Sequence, residues 1–384
     1  MSKSKDAVMQ GNQGESDLEG LCATASRLRD QGKGRVVSFS PKVFIPLTRL
    51  CRDFCSYCTF RQSPRQAKTL YMTPEDVLEV ARAGERLGCR EALFVLGERP
   101  EQRYPEARGW LRAHGYDSTV EYLRDMCALV LGETALYPHS NPGTLSRAEL
   151  ESLREVNASL GLMIENTSPR LCQPGGPHEY AASKHPQLRL ETLRLAGELK
   201  IAFTTGLLVG IGETPHERIE TLIAIRNLQE QYGHIQEVII QNFRAKQGTP
   251  MERAPEPPSR EMLETVARAR IILGKDMNIQ VPPNLLADGG SAPYWTYLEA
   301  GINDWGGISP LTIDYVNPEA PWPQISQLRR EMNARNFDLN ARFPVYPEYL
   351  REKSGYVPAS VRDRLCREAS PQGYISSCQP ISAG

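Results

Sequence analysis

The chain has 384 residues, with 45 basic residues against 46 acidic ones and a formal net charge of −1. So even a balance gives the molecule no overall field to draw nucleic acid or an anionic membrane, and the expected partner is a small molecule. No stretch approaches the ~18–20 uninterrupted apolar residues of a membrane span. The start, Met1-Ser-Lys-Ser-Lys-Asp6, lacks the apolar centre of a secretory signal, and nine cysteines without regular pairing suit a reducing compartment, so a cytoplasmic location is expected.

Residues 1–16 are polar and are expected to lack fixed structure, as is the end of the chain, which closes Ser-Ser-Cys-Gln-Pro-Ile-Ser-Ala-Gly384. Between them short apolar runs alternate with longer segments of helical period, the pattern of βα units on a parallel sheet. The runs place strands near 43–47, 92–96, 135–139, 161–165, 202–209, 237–242, 278–281 and 302–308, and eight strands suit a closed TIM-type α/β barrel over 36–310, with 311–384 as a C-terminal extension. Thr73-Pro74-Glu75-Asp76 reads as an N-cap followed by Pro at the first helical position, with Gly88 closing that helix. Ser146 and Glu149 form a capping box, and Ser259–Leu273 is a further helix ending at Gly274. The stretch 97–117 exceeds an ordinary βα loop and is expected to be an insertion or a lid.

The first strand leads into Leu50-Cys51-Arg52-Asp53-Phe54-Cys55-Ser56-Tyr57-Cys58-Thr59-Phe60. Three thiolates on one loop can hold three irons of a cubane cluster and leave the fourth iron open to a small molecule. A structural zinc site would use two Cys pairs, and Cys22, Cys89, Cys127, Cys172, Cys366 and Cys378 are scattered singly; three Cys completed by a histidine is the zinc alternative that stays open.

In an α/β barrel the reactive groups gather at the carboxyl ends of the strands. There the sequence offers the Cys loop, Gly97-Glu98, His139-Ser140-Asn141, Glu165-Asn166-Thr167, Gly210-Ile211-Gly212-Glu213, Gln241-Asn242, Asn284 and Asn303-Asp304. The Gly210–Glu213 turn lacks the spacing of a phosphate-cradling loop, and its glycines would let a flat base approach the backbone.

The Cys-x3-Cys-x2-Cys order with an aromatic before the last Cys resembles the radical S-adenosylmethionine (SAM) superfamily. The segments Phe44–Thr48, Cys51-Arg52-Asp53, Tyr57–Phe60, His139–Gly143, Glu165–Pro169 and Asn303–Gly307 narrow the likeness, over about Val36–Tyr349, to the CofG-type subunits of 7,8-didemethyl-8-hydroxy-5-deazariboflavin (FO) synthase. The resemblance implies a radical SAM barrel with a 4Fe-4S cluster on Cys51, Cys55 and Cys58, SAM chelating the fourth iron, and reductive cleavage to a 5'-deoxyadenosyl radical. It implies Tyr57 beside adenine, Gly97 and Glu98 at the SAM amino group (with Leu96 where the family's Gly-Gly-Glu motif has its first Gly), Glu165 at the ribose or amino group, Arg189 at the SAM carboxylate, and Gly210 and Gly212 bordering adenine. The implied substrate is 5-amino-5-(4-hydroxybenzyl)-6-(D-ribitylimino)-5,6-dihydrouracil, supplied by a CofH-type partner. Its polyol would meet His139, Asn141, Gln241, Asn242, Asn284 and Asp304. His139 or Asp304 would act as acid or base during ring closure and loss of ammonia, and an unidentified donor would supply the electron. The competing readings are another radical SAM enzyme, such as the CofH subunit, a biotin-synthase-like sulfur inserter or a menaquinone-pathway enzyme, and a non-catalytic metal-binding protein.

Overall fold

Strand β1 (Val36–Thr48) runs for 13 residues and is buried for almost its whole length, because it is shared among three neighbours. In a computed structural model that describes residues 15–286 and 293–376, its upper half, 42–48, pairs with β2 (Glu91–Leu96) and its lower half pairs with β8 (Asp304–Ile308), both parallel. Between them β3 (Tyr137–Asn141), β4 (Ser159–Gly161), β5 (Phe203–Val209), β6 (Ile235–Asn242) and β7 (Ile279–Gln280) follow in parallel order, so β1–β8 close into a barrel. All eight expected strands are present, and the TIM-type reading holds.

The expected tail over 1–16 falls outside the described residues except for Glu15 and Ser16, which open helix α1 (Glu15–Lys33); residues 377–384 of the expected flexible end also lie outside them. The crossovers are α2 (Pro74–Arg86), α3 (Pro105–Ala113), α4 (Thr119–Glu133), α5 (Arg147–Arg154), α6 (Pro186–Glu198), α7 (Pro215–Tyr232), α8 (Ser259–Leu273) and α9 (Tyr294–Glu299). Local chemistry starts several of them. Thr73 with Asp76, Ser146 with Glu149 and Thr214 with Glu217 each form a complete capping box, and each cap stabilises its helix by about 1 kcal/mol. The stretch 97–117 contains one short helical turn and α3, which packs down rather than standing free: Ala107 and Leu111 are buried and Trp110 stacks on Tyr71 at 4.6 Å between centroids.

Strand alternation separates two environments. On β6, Val238 and Ile240 pack outward into the main core with Leu222 and Ile225 of α7 and Val266 of α8, while Glu237, Ile239 and Gln241 face inward onto a central cavity. The inward face is polar at many levels, with Lys42, Glu91, His139, Thr204 and Gln280 also lining that cavity.

The C-terminal extension closes the amino end of the barrel. After α10 (Ile325–Asn333), β9 (Asp338–Ala341) pairs in parallel with Val36–Phe39, below the point where β2 joins β1. Phe343, Val345, Tyr346, Tyr349 and Leu350, the last two from α11 (Pro347–Arg351), form a second core with Tyr137, Ala158 and Ala202, joined by Val361 and Leu365 of α12 (Ala359–Glu368). Arg342 is directed upward from this plug into the barrel floor.

Asp304 belongs to that floor, which corrects the rim position read from the sequence. It is the first residue of β8, paired in register with Ser38 and Gln280, and has no exposure. The Arg342 guanidinium donates to both its oxygens, at 2.8 and 3.0 Å, and Ser38 Oγ and the Gly306 N–H also donate to it. Asn303 lies on the same side, receiving Arg270 at 2.9 Å. Polar residues at the start of a strand face the opposite end of the barrel from those at its finish.

Candidate active site

The cavity inside the barrel has a volume of about 380 Å3, and Cys51, Cys55 and Cys58 all line it. Their loop is fixed by three backbone hydrogen bonds, one to the turn after β2 and two to the segment 177–180. Arg52 N–H donates to Glu98 O at 2.9 Å, Phe54 N–H to Tyr180 O at 2.9 Å, and Ser56 N–H to Pro177 O at 2.9 Å. Gly97 is required for this fit: a Cβ there would lie 1.9 Å from Leu50 O and 2.7 Å from Cys51 Cβ. All three thiols are unpaired by disulfides.

The donor set suits an iron–sulfur cluster. Glu98 N–H donates to Cys51 Sγ at 3.2 Å, the kind of bond that supports a ligating thiolate. Burial pushes the Cys51 thiol up to about 11 and the Cys55 thiol up to about 12, so loading metal must displace their protons.

Within the loop, Tyr57 is half-buried and packs on His178, with its hydroxyl 3.0 Å from Nε2 and the rings edge to face at 5.6 Å. Burial raises the tyrosine well above its ordinary value and lowers His178 to about 2, so both are neutral. Glu98 lines the cavity, but its carboxylate is already engaged by Arg52 at 3.1 Å and by the Thr144 hydroxyl. Glu165 stands at the end of the fourth strand with φ +62° and pairs with Lys184. Its backbone bridges to β5, N–H to Gly206 O at 3.0 Å, which extends β4 to the rim. Arg189 of α6 is buried, donates to Ser183 O at 3.0 Å and to Met163 O, and faces the cavity. Asp53 takes Ser183 Oγ beside it.

Gly210 and Gly212 are placed differently from the other candidates. Neither lines the cavity; the Gly210 and Ile211 amides donate to the Glu213 carboxylate at 2.8 Å each, and Arg218 of α7 ties that carboxylate to the helix. Gly210, at φ +97°, has the Pro257 ring 2.7 Å from where a Cβ would lie. Their positive φ angles serve this turn.

His139 lies inside the barrel, below the rim. Ser159 Oγ gives its one proton to Pro344 O at 2.8 Å, so it accepts from His139 Nδ1 at 2.6 Å. That leaves Nε2 as an acceptor, which the Asn141 amide reaches at 3.1 Å when its nitrogen is turned to the ring. Burial, with the Lys42 ammonium adding to it, lowers the imidazole to about 4, although Glu91 opposes the shift. It is neutral at pH 7.

Several groups that complete the site carry no signal of their own in the sequence. Lys184, His178 and Lys246 are isolated in sequence, and Arg342 lies in the extension; only Arg52 and Asp53, inside the Cys motif, could have been singled out. Lys246 is buried and donates to Val316 O at 2.6 Å. Burial lowers its ammonium below the ordinary lysine value.

A parallel eight-stranded barrel with a three-cysteine loop at the carboxyl end of its first strand defines the radical SAM class of enzyme, and the radical SAM superfamily signature matches residues 45–225. Solved structures agree on the fold: methylornithine synthase (PylB) superposes with a TM-score of 0.66 at 19% identity, over 87% of this chain and 92% of that one. The hydrogenase maturase HydG of Carboxydothermus hydrogenoformans gives 0.69 at 18%, over 93% and 82%. A 7,8-didemethyl-8-hydroxy-5-deazariboflavin synthase of Methanopyrus kandleri is 52% identical over 88% of this chain and 99% of its own length. The FO synthase of Streptomyces coelicolor is 46% identical over 100% of this chain, which spans 45% of that longer protein. The chain belongs to the 7,8-didemethyl-8-hydroxy-5-deazariboflavin synthase family. Membership implies a 4Fe-4S cluster and SAM. Among the described residues no helix is long and apolar enough to cross a membrane.

Proposed function

We propose that this chain forms the deazaflavin FO from 5-amino-5-(4-hydroxybenzyl)-6-(D-ribitylimino)-5,6-dihydrouracil, with ring closure and loss of ammonia. The observation that carries the reading is that one cavity inside the barrel is lined both by the three thiols and by polar side chains of the barrel wall. Cys51, Cys55 and Cys58 would hold the cluster, and SAM would complete it. When bound, the pair supplies the one-electron chemistry that removes a hydrogen atom from the substrate.

The residues around them bind, orient and keep out water. Arg189, already aimed by two carbonyls, is suited to a carboxylate because its fork can donate further hydrogen bonds. Tyr57 packs as a neutral ring beside the loop, while Glu98 and Glu165, each anchored by a cation, present fixed acceptors to the SAM amino and ribose groups. Gly210 and Gly212 would act on adenine only at a distance, by holding the turn after β5. His139 is neutral and positions Asn141, whose amide donates to its Nε2. Asp304 takes no acid or base part, because its carboxylate is sealed in the floor and both oxygens are occupied.

The longer FO synthases, of which this chain matches less than half, support a separate CofH-type partner that supplies the substrate. The electron donor and a cytoplasmic setting belong to the same proposal. The test is anaerobic: wild type given the adduct, SAM and a reductant should develop deazaflavin fluorescence, and Cys55→Ala should not. Cleavage of SAM without conversion of the adduct would favour another radical SAM activity.

A further inference from the structure

Three polar atoms on the rim near β6 and β7 remain unanswered or only partly answered in an otherwise well-paired cavity. Asn242, the last residue of β6 and 3% exposed, has its Nδ2 buried without a partner. Asn284, just after β7, has its Oδ1 buried without a partner. Its orientation is fixed, because Nδ2 donates to Asp314 Oδ2 at 3.1 Å and to Ala320 O at 3.2 Å; turning the amide would set an oxygen against two acceptors. Lys246, four residues beyond Asn242, spends one proton on Val316 O and has two more. Among the described residues it has no carboxylate within ion-pair distance, whereas Lys42, Lys184 and Arg342 in the same cavity are paired with Glu91, Glu165 and Glu237.

Asn284 and Lys246 are neighbours through one turn, and Asn242 lines the same cavity. Asp314 Oδ1 receives the Val316 N–H at 2.9 Å, so the carboxylate that orients Asn284 also holds the carbonyl that orients Lys246. The rim therefore presents a donor, an acceptor and a donor: the Asn242 amide nitrogen, the Asn284 carbonyl and the Lys246 ammonium. A buried polar atom without a partner costs about 1–3 kcal/mol, so such a set is a demand for a ligand.

We infer that Asn242, Asn284 and Lys246 form the subsite for a cyclic imide edge, the carbonyl, N–H, carbonyl face of a pyrimidinedione ring. This rests on the proposed function and deepens it by assigning the uracil ring, rather than the polyol, to β6 and β7. A polyol hydroxyl both donates and accepts and makes no demand for this alternation, whereas an imide edge has it built in: acceptor, donor, acceptor. The neutral imide N–H gives its proton to Asn284 Oδ1, and the flanking carbonyls take Asn242 and Lys246.

The probe is FO itself, which carries the same imide edge, together with its analogue methylated at the imide nitrogen. Binding to the reconstituted enzyme is followed by quenching of deazaflavin fluorescence, with turnover of the adduct measured in parallel. Wild type should bind FO at least about 10-fold more tightly than the methylated analogue, since methylation removes the one donor and leaves Asn284 Oδ1 buried and unpaired. Asn284→Leu should bind FO more weakly and lose the discrimination. Lys246→Met should raise Kd and the KM for the adduct by about 10-fold or more with the KM for SAM unchanged, and Lys246→Arg should restore part of the loss. Equal affinity of wild type for both ligands, or full discrimination retained by Asn284→Leu, would overturn the subsite while leaving conversion of the adduct intact. Absence of both FO binding and conversion in wild type would overturn the proposed function as well.

Discussion

Replacing Arg342 by Met tests the barrel floor. The guanidinium is fully buried, pairs with Asp304 at 2.8 and 3.0 Å and with Glu237 at 2.8 Å, and lies over the Tyr346 ring at 4.1 Å from its centroid. Methionine keeps the length and most of the contact with that ring, so the loss is chiefly electrostatic. Two carboxylates remain buried with neutral donors: Ser38 and the Gly306 amide for Asp304, Tyr346 and Thr204 for Glu237. Removing one partner of a buried ion pair costs about 3–5 kcal/mol, so anaerobic urea unfolding followed by circular dichroism should show a deficit of that size at pH 7. Burial already raises Glu237 above its ordinary value. A carboxyl raised in the folded state adds stability at low pH and loses it as pH rises, so the deficit should narrow on acidification. Adding Asp304→Asn and Glu237→Gln to the variant should recover part of the loss. A cost under about 1 kcal/mol, the range of an exposed pair, would refute the sealed floor.

His139→Gln should remove an acid sensitivity. The folded imidazole titrates at about 4 and the unfolded one near 6.5, so between those values only the unfolded chain binds the proton and stability falls as pH falls. Wild type should lose about 2 kcal/mol from this group between pH 7 and pH 5, and the variant should not, as urea midpoints at the two pH values will show. Gly97→Ala should push the Cys loop off Leu50 at a cost of ~1–3 kcal/mol, seen as less iron per chain after reconstitution with every thiol present.

The strands were legible because each is a short apolar run bounded by turn residues, and α2, α5 and α8 because their caps and terminators are local signals. The Cys loop was legible for the same reason, since its spacing is written in eight consecutive residues. What failed was depth along the barrel axis. Asn303 and Asp304 read as rim groups because a strand sequence does not say which of its polar ends meets the cavity, and the cation that neutralises Asp304 lies 38 residues away in the extension. Strand β9, Asp338-Leu339-Asn340-Ala341, has too little apolar character to be seen and exists because β1 offers an open lower edge. The glycines after β5 were visible, but their partner Glu213 decides their role, and that is a tertiary fact.

The central claim is that Cys51, Cys55 and Cys58 hold a cluster with one iron open toward the cavity. Electron paramagnetic resonance of the anaerobically reduced protein, recorded before and after adding SAM, tests it most directly. A reduced 4Fe-4S signal whose shape changes on addition of SAM and which is lost in Cys55→Ala is the predicted result; a signal unaltered by SAM, or zinc bound in place of iron, would contradict it.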